Sequence, residues 1–186
     1  DLIRAGFKFA ILGSGEKIYE DFFKEMESRY RDKVSVSLGF IPELSRKIYS
    51  GADMFLMPSQ SEPCGLAQMI AMRYGTIPIV RETGGLRDTV RDCGGENGNG
   101  FTFKTYNAHD MFDACMRAKA AYEDKRGWNR IIKRNLMISH YQIQNLPRLK
   151  MTCHMHLFMT QENGLPEKME KYMCIFRGAM RHCILW

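Results

Sequence analysis

The 186-residue chain has no run of 18 apolar residues, which excludes an ordinary membrane-spanning helix. Its six cysteines, at positions 64, 93, 115, 153, 174 and 183, are too few for a disulfide scaffold. They form no CxxC pair, so the spacing of a structural zinc site is missing and no metal is expected. A reduced, cytoplasmic setting follows as the default. The chain also lacks any block of five or six like charges, although 27 Lys+Arg against 21 Asp+Glu give a net charge of +6. Charge spread in this way reads as a solvated surface, not as a nucleic-acid stripe. The opening residues, DLIRAGFKFAILGSG, have no signal-peptide layout, because charges and glycines interrupt the apolar run. The chain begins without Met and almost directly on an apolar stretch, as a piece cut from something longer would. What is present is ordinary for a folded domain: 45% hydrophobic and 26% charged residues, enough for a core without staples.

Alternation organises the first part. Phe7 to Leu12 is a short apolar run ending at Gly13-Ser14-Gly15, a buried strand leaving into a turn. Glu16 to Tyr30 places Ile18, Phe22, Phe23 and Met26 on one helical face, predicted to be buried. Val34 to Leu38 alternates as a strand, and Pro42 opens a helix through Ser50. Asp53 to Met57, Ile77 to Val80 and Phe101 to Phe103 read as further strands. Helices are predicted over Gly65 to Tyr74, from Gly84-Gly85 through Val90, from an Asn107 cap to about Tyr122, and through Trp128 to Leu136. Strand and helix repeated in this way predict an α/β fold, a Rossmann-like parallel sheet flanked by helices. Ligands of such sheets sit beyond the carboxyl ends of the strands.

Three small-residue loops leave those ends: Gly13-Ser14-Gly15, Pro58 to Gly65, and Glu82 to Gly85. The first is too short for a dinucleotide fingerprint and reads as a tight turn. Thr83-Gly84-Gly85 has two readings: a loop whose backbone approaches an anion at a helix start, or a turn that needs positive φ. Glu62-Pro63-Cys64-Gly65-Leu66 sets a carboxylate at the mouth of the crevice, with the backbone N–H groups of Gly65 and Leu66 beside it. Glu62 there can accept hydrogen bonds from sugar hydroxyls or stabilise developing positive charge; a helix cap or a plain surface acid is the alternative. Cys64 has no nearby His to activate it and reads as a packed thiol.

Near residue 137 the composition changes. Residues 138–186 hold four of the five His, three of the six Cys, six of the fourteen Met and only three acids. Their apolar residues keep no sustained period. CHMHLFM reads as a short strand and LPEKMEKYMCIFRGAM as a helix beginning at Pro166. Cys153, His154, His156, Cys174, His182 and Cys183 match no metal-ligand spacing. The expected division is therefore between residues 1–137, one domain, and residues 138–186, a divergent tail. A shifted reading frame or a fused piece would give the tail such a composition.

The segments EPCGL and QMIAMRYGTIPIVRETGGLRDTV closely resemble the glycogen and starch synthases. LGSG, GFIPELSRKIYSGADMFLMPS and GNGFTFKTYNAHDM are similar to that family in the same order, from about Phe7 to Met137. The family are retaining GT-B glycosyltransferases, with two Rossmann-like domains facing across a cleft. The resemblance implies that this stretch is most of the C-terminal, nucleotide-binding domain. It implies a catalytic role for Glu62 on the donor glucose. Cys64, Gly65 and Leu66 match backbone positions lining the donor sugar and diphosphate. Thr83, Gly84 and Gly85 match the loop approaching the diphosphate, and Gly13 and Ser14 the first strand's loop near the nucleotide. Phe40 stands where the family often has Tyr, so its ring is expected to stack near adenine.

The implied partners are ADP-glucose or ADP, an α-1,4-glucan acceptor and an N-terminal GT-B domain, with neither nucleic acid nor membrane. No cofactor is implied, since Arg and Lys would neutralise the departing diphosphate. The implied location is cytoplasmic, or the plastid for a plant chain. The chain departs from the family pattern where related transferases carry a second acid eight positions after Glu62; here that position is Ile70. The N-terminal domain, the segment supplying an Arg and a Lys to the diphosphate, and the family's closing segment are also missing from these residues. The expectation is a glucan-synthase fragment that transfers no glucose alone. The alternatives are a non-catalytic nucleotide- or glucan-binding module, or another nucleotide-sugar transferase of the same fold.

Overall fold

The computed structural model describes residues 1–63, 65–144 and 171–176. In chain order these form β1 (Phe9–Ser14), α1 (Lys17–Arg29), β2 (Val34–Leu38), α2 (Pro42–Gly51), β3 (Met54–Met57), α3 (Ala67–Arg73), β4 (Ile77–Arg81), α4 (Gly84–Thr89), β5 (Phe101–Phe103), α5 (Ala108–Glu123), α6 (Lys125–Gln144) and β6 (Lys171–Phe176). The six strands make one sheet in the order β2-β1-β6-β3-β4-β5. β1 runs parallel to β2, and β3, β4 and β5 run parallel to one another. This is the α/β fold the alternation predicts.

Side-chain alternation builds a core on each face of the sheet. Phe9, Ile11, Met54, Leu56, Ile77 and Ile79 face one side, where Ala114, Cys115 and Ala118 of α5 and Trp128 of α6 cover them. Ala10, Leu12, Phe55, Met57 and Val80 face the other, under Tyr49 of α2, Ala71 and Met72 of α3 and Leu86 of α4. Strands buried on both faces explain the continuous apolar runs MFLM and IPIV. Asn107 caps α5 as predicted, its side-chain oxygen accepting the Asp110 N–H at 2.8 Å.

Three expectations need correction. β1 begins two residues later than predicted and includes Gly13 and Ser14, because Gly13 pairs in register with Leu38 of β2. The face of α1 is only half buried. Phe23 and Met26 pack on the core, but Ile18 and Phe22 are 69% and 51% exposed. No residue of the helix is fully buried, so it touches the core along a narrow stripe.

The third correction concerns the tail, where KYMCIF is a strand, not part of a helix from Pro166. It runs antiparallel to β1 over six residue pairs and to β3 over two. Without it, the order β2-β1-β3-β4-β5 is that of a doubly wound sheet, 3-2-1-4-5-6, with the first strand's place vacant. β6 fills that place in the reverse direction. An apolar run with aromatic ends finds two open strand edges there, which outweighs weak helix propensity. The CHMHLFM segment and Cys153, His154, His156, His182 and Cys183 lie outside the described residues. Among the described residues no group of three His, Cys, Asp or Glu is placed to hold a metal ion.

Candidate functional site

The carboxyl ends of the parallel strands gather the loops that the sequence singles out. At the end of β1, the Gly13 carbonyl accepts the Gly39 N–H at 2.7 Å. Gly39 takes a φ of +109°, a conformation that glycine adopts without a side-chain clash, and this turns the chain out of β2. Phe40 follows directly and is 90% exposed, so its ring is offered to solvent on a loop fastened to β1. The Gly15 amide is already occupied by Glu20 Oε1 at 3.0 Å. That carboxylate takes a donor the loop would otherwise present to an anion.

The β3–α3 loop carries Glu62, which is half-buried. Its carboxylate folds back to accept the Gly65 N–H at 3.1 Å. Its main-chain carbonyl accepts the Gly85 N–H, also at 3.1 Å. Gly84 has a φ of +43°, and a Cβ there would strike the Glu62 carbonyl far inside the 3.0 Å that real Cβ contacts respect. The paired glycines therefore serve a close approach between two loops, as well as a positive-φ turn. Of the two readings of Thr83-Gly84-Gly85, the structure shows the positive-φ turn, and the Gly85 N–H is engaged by Glu62. Glu62 does not cap α3, whose N-cap is Leu66 with no side-chain hydrogen bond; its Oε1 instead accepts the Gly65 N–H within the loop, which leaves Oε2 without a contact from Gly65.

A buried network ties the same two loops from beneath. Gln68, fully buried in α3, donates through Nε2 to the Gly65 carbonyl at 2.5 Å and to Thr89 Oγ1 at 3.0 Å. The Thr89 hydroxyl donates to the Gly85 carbonyl at 2.7 Å. Gln68 Oε1 has no partner among the described residues. Gly65 has a φ of +64° and sits directly against this side chain. Leu66 is 41% exposed at the head of α3.

The geometry thus brings Glu62, Gly65, Thr83, Gly84 and Gly85 into one tied unit, with Gly13 fastened to the Phe40 loop through Gly39. Ser14 is the last residue of β1, paired with Lys171 of β6. Cys64 lies outside the described residues. The arrangement holds a pre-oriented carboxylate at the carboxyl ends of the parallel strands, with the Gly65 and Gly85 amides both engaged on Glu62.

Sequence reasoning missed Arg81, Gln68 and Glu20. A cation closing the apolar strand IPIVR, and a lone amide within the apolar helix AQMIAMR, are the signals that point to the first two. A cavity of about 420 Å³ opens elsewhere, at the amino end of β5, lined in part by Cys93, Glu96, Arg117, Arg130 and Arg134. It belongs to the packing of α5 and α6 on the 91–100 loop, and it holds none of the residues singled out above.

The solved neighbours whose fold this chain shares are glycosyltransferases of the GT-B type. The chain belongs to the family described as glycosyl transferases group 1, whose model matches residues 3–134. It is 53% identical over 135 residues to a glycogen synthase of Anoxybacillus flavithermus, covering 72% of this chain and 28% of that protein. It is 50% identical over 150 residues to a glycogen synthase of Bacillus cytotoxicus, covering 75% and 31%. The catalytic domain of starch synthase IV from Arabidopsis thaliana, solved with ADP and acarbose, superposes with a TM-score of 0.68 at 36% identity. That match covers 75% of this chain and 32% of that one. Anabaena HepE, solved with UDP, shares the fold with a TM-score of 0.57 at 18% identity, over 78% of this chain and 40% of that one. The chain spans less than a third of the length of the curated relatives named here. The family match ends at residue 134, before β6 and within α6. No helix among the described residues is long and apolar enough to cross a membrane.

Proposed function

We propose that residues 1–137 bind the donor nucleotide sugar of a glucan synthase, with ADP-glucose as donor and an α-1,4-glucan as acceptor of the whole enzyme. In this reading Glu62 faces the donor glucose. Gly65, Leu66, Thr83, Gly84 and Gly85 line the sugar and diphosphate, together with Cys64. Gly13 and Ser14 border the nucleotide, and Phe40 stacks on adenine. The observation that carries the reading is the tie between Glu62 and the glycine turn: the Gly85 N–H on the Glu62 carbonyl, and the Gly65 N–H on its carboxylate. A carboxylate held by one oxygen keeps the other for a sugar hydroxyl. Such preorganisation lets a site stabilise charge without reorganising when the sugar leaves its diphosphate.

Glucosyl transfer also needs cations on the departing diphosphate and an opposing wall that excludes water. The tied unit carries neither. The proposal is that an N-terminal domain of the same type supplies the wall across a cleft, and that the segment before the first strand supplies the Arg and Lys. Residues 138–186 then contribute β6 to the sheet and nothing to donor recognition. The purified 186-residue chain is expected to bind ADP-glucose and to add no glucose to glycogen, followed by radiolabelled glucose incorporation. Measurable elongation by the chain alone would overturn the division of labour. Turnover of UDP-glucose in preference to ADP-glucose by the whole enzyme would favour another nucleotide-sugar transferase.

A further inference from the structure

The loop from Pro58 to Glu62 hangs on few contacts. Among the described residues, three hydrogen bonds grip it from outside: Gly65 N–H on the Glu62 carboxylate and Gly85 N–H on the Glu62 carbonyl, each at 3.1 Å, and Arg81 Nη1 on the Gln60 carbonyl at 2.8 Å. Arg81 is the last residue of β4. Its Nε also donates to the Lys104 carbonyl at 3.1 Å, in the loop leaving β5. The Tyr106 ring covers the guanidinium, with its centroid 5.6 Å away. One planar side chain therefore holds the loops leaving β3 and β5 against the end of β4. Both acceptors are main-chain carbonyls, so the fork engages backbone shape and not side-chain charge. Among the described residues Arg81 makes no ion pair, which separates this role from neutralising an acid.

We propose that Arg81 is a positioning residue of the donor site, fixing the Glu62 loop so that its carboxylate meets the sugar already oriented. This rests on the donor-site reading above. A guanidinium that merely covered surface backbone would leave the loop's opening and its ligand untouched. Arg81 is only partly buried, and water can satisfy both carbonyls when it is removed, so the fold is expected to survive the change.

The test uses the 186-residue chain with Arg81→Ala and Arg81→Lys. Amide hydrogen exchange is read over residues 58–66, with residues 77–80 of β4 as the internal reference, and ADP-glucose affinity is read by calorimetry. In Arg81→Ala, exchange over 58–66 should quicken about tenfold while β4 stays unchanged, since the lost tie shifts only the local opening equilibrium. The dissociation constant for ADP-glucose should rise about fivefold to tenfold, on the scale of one net hydrogen bond. Lys carries a point charge without the fork and should recover only part of both effects. Unchanged exchange over 58–66 overturns the proposal. So does faster exchange with unaltered ADP-glucose affinity, and so does equal quickening of β4, which would mark Arg81 as holding the fold. If the unaltered chain binds neither ADP nor ADP-glucose, the donor-site reading fails and takes the ligand half of the proposal with it. The exchange data still decide whether Arg81 holds the loop.

Discussion

Gly84→Ala should loosen the site by forcing its two loops apart. The Cβ would be built at a φ of +43°, where an L side chain costs about 1 kcal/mol. It would also strike the Glu62 carbonyl, so the backbone must retreat by more than about 1 Å to reach ordinary contact. That retreat breaks the Gly85–Glu62 hydrogen bond, worth about 1 kcal/mol. The total is about 2–3 kcal/mol, which lowers the melting temperature of a chain this size by roughly 5–10 °C. Gly39→Ala shows strain without contact: its φ of +109° is less tolerant of an L side chain than +43°, but nothing lies within 4 Å of the added Cβ. Differential scanning calorimetry reads both variants. If Gly84→Ala costs no more than about 1 kcal/mol, the cost of its backbone strain alone, the close approach of the loops does not exist as described.

Two further outcomes follow from groups near the 91–100 loop. Asp92 accepts the Thr102 N–H and the Gly94 N–H, each at 2.8 Å, and pairs with Arg117 at 2.8 Å. Burial alone would raise its pKa, but Arg117 and those amides outweigh it and hold the carboxyl below the ordinary carboxylate range. The stability this gives is present above the unfolded pKa and is lost as pH falls through the folded one; Asp92→Asn should therefore cost about 2 kcal/mol near neutrality and flatten the acid limb of a urea-midpoint against pH plot. Burial, helped by Asp92, pushes the Cys93 thiol up to about 11, so at pH 8 it should alkylate with iodoacetamide at least tenfold more slowly than a model peptide, as read by peptide mapping. A Cys93 rate matching the peptide would contradict the packing given for this loop.

The strands were legible because β3 and β4 are buried on both faces, which writes an unbroken apolar run into the sequence. The end of β1 was not, because Gly13 and Ser14 look like turn residues and are held in the sheet only by pairing with β2 and β6. Phe22 was misjudged because an amphipathic stripe shows which face is apolar, not how much of it a sheet covers. β6 shows the same limit more strongly. Nothing local marks KYMCIF as a central strand, and its place depends on a gap between β1 and β3. In the site, Glu62 and the paired glycines stood out by residue type and by their position after a strand. Arg81 and Gln68 did not, since their partners are carbonyls and a hydroxyl set by tertiary contact. A sequence carries no direct sign of which backbone oxygen a side chain will find.

The most direct test of the donor-site account is calorimetric titration of the purified chain with ADP, alongside UDP and a Phe40→Ala variant. Phe40 is 90% exposed, so removing its ring should leave the fold intact while deleting the face on which adenine would stack. The account expects saturable ADP binding, weaker UDP binding, and at least a fivefold loss for ADP in the variant, within the range of one stacked base. No ADP binding by a chain that melts cooperatively, or equal binding by the variant, would contradict it.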